Sequence, residues 1–69
     1  MELRYTVTSG STPAVNATND DPGSIWSNTT PDSFTGKLWM ITATSVNGVL
    51  NSDESNIRWH GPHLISIIQ

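Results

Sequence analysis

The dipeptide Asn47-Gly48, set between Val46 and Val49, is the strongest single constraint on what this chain can become. A two-residue type I′ turn needs positive φ at both central positions, and Asn followed by Gly tolerates that well. The pair predicts a β-hairpin. In the register it sets, Leu50 falls on the face of Ile41 and Ala43, so turn chemistry and hydrophobic alternation agree. The stretch before it, Lys37 to Val46, predicts the longest strand. Trp39, Ile41 and Ala43 share one face of that strand; Leu38, Met40, Thr42 and Thr44 share the other. Both faces are apolar near Gly36, which predicts a central strand covered on both sides there.

The remaining pattern is also β-like. Leu3 to Thr8 alternates, and the alternation predicts a half-buried strand with Leu3, Tyr5 and Val7 inward and Arg4, Thr6 and Thr8 outward. Ser9 to Ser24 is a polar connection broken by Pro13 and Pro22, long for a compact domain and expected either to be partly ordered by Val15 packing inward or to be a mobile edge. Ile25-Trp26 predicts a short strand or bridge, and Ser27 to Thr35 a turn-rich segment with a type I turn at Pro31. Asn51 to Ser55 reads as a bulge or loop. Asn56 to His60 predicts another short strand, with Ile57 and Trp59 inward, ended by Gly61-Pro62. His63 to Gln69 is then either a last strand or a lead into a following segment. No stretch carries apolar residues at helical spacing.

Sixty-nine residues suffice for one domain, whose core must come from a few large side chains. Those are Trp26, Trp39, Trp59, Tyr5 and Phe34, with Leu3, Val7, Ile41, Leu50 and Ile57. The absence of cysteine excludes disulfides and thiolate zinc sites. It favours assembly in a bacterial cytoplasm, or a module stabilised by its neighbours. Three cations, Arg4, Lys37 and Arg58, against six acidic residues give a net charge of −3. Scattered cations cannot neutralise a run of phosphates, so neither nucleic acid nor an anionic membrane is an expected partner. Met1-Glu2-Leu3-Arg4 opens as a polar alternating strand, not as a signal peptide or membrane span.

Candidate functional residues are few. Flat aromatic faces suit sugar rings, but a small domain without disulfides needs its tryptophans in the core, and Trp39 and Trp59 lie on the apolar phase of their segments. Trp26, flanked by Ser27 and Asn28, is the one expected to keep a partly exposed face. With Asn19, Asp20 and Asp32 it forms the candidate ligand-binding set, in the loops of residues 16–33. His60 and His63 lack a third donor nearby, so no metal site is expected. Asp20-Asp21 and Asp53-Glu54 do not match calcium-loop spacing and read as acidic loop caps. Asn16-Ala17-Thr18 and Asn28-Thr29-Thr30 fit the glycosylation pattern, which matters only in a secretory setting. No nucleophile elbow or phosphate loop is present, so neither an enzyme nor a bound cofactor is expected.

Ile25-Trp26-Ser27-Asn28-Thr29-Thr30-Pro31, then Gly36-Lys37-Leu38-Trp39-Met40 and the Asn-Gly hairpin, resemble a tryptophan-rich β module of phage and prophage tail or tail-fibre proteins. The resemblance spans residues 3–62, with Arg4-Tyr5-Thr6-Val7-Thr8 matching the first strand and Ile57 to Pro62 the exit into a Gly-Pro linker. Leu38 stands where that pattern carries an aromatic residue, and no collagen-like run follows Gly61. The resemblance implies a non-enzymatic building block with no catalytic residue to carry over.

Together these readings predict a small all-β domain of antiparallel strands, about four to six of them and short, arranged as a sandwich-like or meander fold. Residues 1–62 form the module and 63–69 a final strand or linker. A fibronectin-III-like topology would need seven strands, for which the chain is short. The expected function is a structural or interaction module of a phage-derived tail or bacterial surface protein, located on a virion or a bacterial cell surface. The alternative is a carbohydrate-binding module contacting a glycan through Trp26 and the 16–33 loops. Expected partners are neighbouring modules of a parent protein or another copy, through strand pairing along the apolar run at 64–68.

Overall fold

Gly36 to Ala43 forms the central strand of the molecule, β2, and the rest of the fold is arranged about it. The computed structural model describes residues 1–51 and 56–68, and it is all β. β1 (Glu2–Thr8) and β5 (His60–Ile68) flank β2 antiparallel, giving a three-stranded sheet of order β1-β2-β5. Between β2 and β5 in sequence, β3 (Ser45–Val46) and β4 (Val49–Leu50) form a separate two-stranded hairpin. The expected segment at Asn51 to Ser55 lies, from 52 onward, outside the described residues.

The hairpin has the chemistry its sequence predicts. Asn47 and Gly48 take φ of 53° and 80°, and Val46 pairs with Val49 across the turn. The long strand expected over 37–46 is interrupted at Thr44, so β2 ends at Ala43. The Thr44 carbonyl instead accepts the Asn51 N–H at 3.0 Å, which ties the hairpin base together.

One face of the sheet carries the core. Trp39, Ile41 and Ala43 of β2 meet Trp26 and Trp59, with Val15 and Leu50 packed against them. Ile41 is fully buried and Ala43 nearly so, in keeping with a central strand. Val15 and Leu50 sit where the sequence predicts them.

The phase of β1 is the main departure. Register pairs Glu2 with Ala43, Arg4 with Ile41 and Thr6 with Trp39. Directly opposed residues share a face, so the polar phase of β1 faces the tryptophans. Leu3, Tyr5 and Val7 pair with Thr42, Met40 and Leu38 on the opposite face. There Leu38 is buried, Tyr5 and Met40 are half-buried, and Val7 stays 37% exposed. Arg4 and Thr8 are tolerated beside the core because their polar ends have partners. The Thr8 hydroxyl accepts the Trp39 indole N–H at 2.9 Å. The Arg4 guanidinium lies 5.2 Å from the Trp59 ring centroid.

The C-terminal strand also differs from expectation. Of the strand expected over Asn56–His60 only a β-bridge at Ile57 and the terminal His60 are seen; β5 starts at His60 and continues through Gly61-Pro62, a cis bond, to Ile68. The register shift against β2 between Met40 and Thr42 accommodates this irregularity, and a second, between Leu38 and Trp39, falls at Leu64–Ser66. Proline is tolerated because β5 is an edge strand. Gly61 has φ of 135°, and a Cβ there would come within 3.0 Å of the Met40 carbonyl oxygen. Only glycine fits that approach.

Candidate functional site

Two of the three indoles, those of Trp26 and Trp59, hold the long connection in place. After β1 the chain crosses the core face as an irregular segment, with Pro13 and Pro22 buried and Asn16 N–H donating to the Pro22 carbonyl at 2.9 Å. Trp26 donates its indole N–H to the Ala14 carbonyl at 3.0 Å, and Trp59 donates to the Asn19 carbonyl at 3.0 Å. The Ala17 carbonyl accepts the backbone N–H groups of both Arg58 (2.7 Å) and Trp59 (3.0 Å). A polar segment with little apolar content of its own is thereby fixed by donors from residues far along the chain. Buried indole N–H groups need partners, and irregular backbone needs donors for its carbonyls. Each satisfies the other.

This geometry decides where the sequence-predicted ligand residues stand. Trp26 is 7% exposed, Trp39 8% and Trp59 1%. The partly exposed face expected of Trp26 is absent. The reason is local: Ser27 bridges Tyr5 of β1 by two backbone hydrogen bonds of 2.8 Å, which draws the preceding residue into the core. The expected strand or bridge at Ile25-Trp26 is this bridge, one residue later, and Ile25 is exposed.

Asn19, Asp20 and Asp32 are exposed. Asn19 contributes its backbone carbonyl to Trp59, and its side-chain oxygen accepts the Asp21 N–H at 3.4 Å. Asp20 pairs with Arg58 at 3.4 Å, and Asp21 accepts the Gly23 N–H at 3.0 Å, the loop-capping role expected of an acidic pair. Asn19 and Asp20 thus belong to the loop that Trp59 and Arg58 secure. With the Trp26 ring buried, the four candidate residues present no aromatic platform. Among the described residues no three His, Cys, Asp or Glu side chains gather into a metal-binding group. No helix long and apolar enough to cross a membrane is present among them. Asp53 and Glu54 lie outside the described residues.

Two surface features went unmarked or half-marked in the sequence. A groove of about 230 Å³ lies beside the Tyr5–Ser27 bridge, bounded by Tyr5, Val7, Ile25, Thr29 and Pro31. No spacing rule could have found it, because it brings Tyr5 and Val7 of β1 against residues 25–31, well apart in the sequence. The second is the outer edge of β5, where Leu64, Ile65, Ile67 and Ile68 are 44–53% exposed. Its apolar run is visible in the sequence; its position at a sheet edge is not. No family model, curated protein or solved structure matches this chain.

Proposed function

We propose that this chain is a non-enzymatic structural and interaction module of a phage-derived tail or bacterial surface protein, assembled in the bacterial cytoplasm and joined to neighbouring modules. The observation that carries this reading is the use of all three tryptophans inside the molecule. Each ring is buried, and each indole N–H is donated to the chain itself. An aromatic residue committed to holding a loop has no face left for a ligand. The resemblance of residues 3–62 to tail modules supports the same reading. Burial of Trp26 counts against the carbohydrate-binding alternative, which relied on that ring.

Tryptophan emission of the chain, with acrylamide quencher and with a glycan panel, tests this. Blue-shifted emission, poor quenching and no response to glycans are the expected results. A red, quenchable tryptophan that a sugar protects would overturn the reading in favour of a glycan receptor.

A further inference from the structure

His60 and His63 have no third donor beside them in the sequence, and the fold supplies one. On an unbroken strand, residues three positions apart point to opposite faces. The register shift across Gly61-Pro62 changes that: His60 lies opposite Thr42, and His63 opposite Met40. Thr42 and Met40 are two apart on β2 and share the face turned away from the tryptophans, with Leu38. Directly opposed residues share a face, so both imidazoles stand there too. Three steps along β5 therefore match two along β2, a span of about 7 Å. Two imidazoles at that spacing can converge on one ion, given metal–nitrogen bonds of about 2 Å.

Met40 completes the set. It is the direct cross-strand partner of His63, a relation that places two Cα atoms about 4.5–5.5 Å apart. Met40 is half-buried while both histidines are exposed, which gives an apolar floor and an open approach. The His63 ring is folded back along β5: a Cβ at Gly61, next to His60, would come within 3.2 Å of the His63 Cδ2. His60 has an interaction of its own, and with two nitrogens its ring can keep one contact and ligate as well.

We propose that His60, His63 and Met40 bind a soft monovalent metal ion, copper(I) or silver(I), on the outer face of the sheet. The donor set makes the choice. Calcium and magnesium need oxygen ligands, and zinc sites are completed by further His, Cys or carboxylate groups. Among the described residues no three His, Cys, Asp or Glu side chains come together. Two imidazoles and a thioether are instead a neutral, soft set, and thioethers select copper(I). Ligation is all the site provides, and it stands whether or not the chain is a tail module.

Silver(I) titration of the full chain in chloride-free buffer tests this, read by calorimetry and by the imidazole and methionine-methyl NMR signals. Copper(I) kept reduced by ascorbate is the second probe. One equivalent should bind and shift the signals of His60, His63 and Met40 together. Met40→Leu conserves volume, and tryptophan emission reports whether each variant keeps its core. Met40→Leu and His63→Gln should each weaken binding at least about tenfold. Met1→Leu, which removes the chain's other thioether, should leave it unchanged. Absence of one-to-one binding overturns the proposal. So does binding that survives Met40→Leu, which would identify a chelate of two histidines alone. Zinc(II) held as tightly as silver(I) would overturn the assignment to a soft ion.

Discussion

The indole N–H of Trp59 donates to the backbone carbonyl of Asn19 across 40 positions of sequence, at 3.0 Å. Trp59 immediately precedes β5, and Asn19 lies midway along the connection between β1 and β2. One side chain therefore fills the core and fixes the loop that covers it. Trp59→Phe keeps most of the ring but removes the donor, leaving the Asn19 carbonyl to find water. It should cost about 1–3 kcal/mol, and Trp59→Ala about 3–5 kcal/mol, both read by denaturant unfolding. Equal losses for the two would show that the hydrogen bond carries nothing beyond packing.

Arg4 tests the unexpected phase of β1. Its guanidinium over the Trp59 ring is worth about 0.5–2 kcal/mol, whereas its 3.4 Å ion pair with Glu2 is a partly exposed contact worth little. Arg4→Gln should therefore destabilise measurably and Glu2→Gln hardly at all. If Glu2→Gln proved the more costly, Arg4 would be acting as an ion-pair partner and not as a lid on the ring.

Gly36 opens β2 at φ of 111°, and a Cβ built there would run into the Thr8 carbonyl oxygen. Gly36→Ala should cost more than about 1 kcal/mol, through backbone strain and the forced shift of β1. Gly10→Ala meets nothing nearby and should be neutral or mildly stabilising. Thermal unfolding of the pair decides it; matching midpoints would show that the β1–β2 junction yields freely.

Asn47 holds φ of 53° in the hairpin turn. A β-branched residue is disfavoured there, so Asn47→Val should lose about 1–3 kcal/mol while Asn47→Gly changes little. Amide exchange at Asn51, whose N–H bonds to Thr44 at the hairpin base, should quicken in the valine variant. Unchanged exchange would mean that the base holds without the turn.

The Asp20–Arg58 pair is the remaining contact at the sequence-predicted ligand residues. Asp20 is 74% exposed in its side chain, so Asp20→Asn should alter stability by less than about 1 kcal/mol. The Arg58 guanidinium also donates to the Leu50 carbonyl, at 2.6 Å. Arg58→Ala should therefore cost more than Asp20→Asn under the same denaturant titration.

The sequence by itself determined the local chemistry. Asn47-Gly48 dictated a hairpin because few residue pairs accept its backbone angles. The Trp39-Ile41-Ala43 phase dictated which side of β2 is deepest, because those side chains alternate and are large or tightly enclosed. Tertiary structure alone decided which face of β1 met that side. Alternation in Leu3–Thr8 shows that two faces differ, but here both sides of the sheet carry apolar residues, and pairing with β2 settled the choice. The fate of Trp26 was likewise decided at a distance: its polar neighbours suggested exposure, and only the Tyr5–Ser27 bridge and the Ala14 carbonyl drew it inside. Gly61-Pro62 read as a strand end because proline cannot donate to a ladder. It sits within β5 because an edge strand need not donate on its outer side, and a register shift absorbs the rest. Local rules see dihedrals and periodicity; partners 31 or 40 residues away, such as those of Trp39 and Trp59, become available only once the chain has folded.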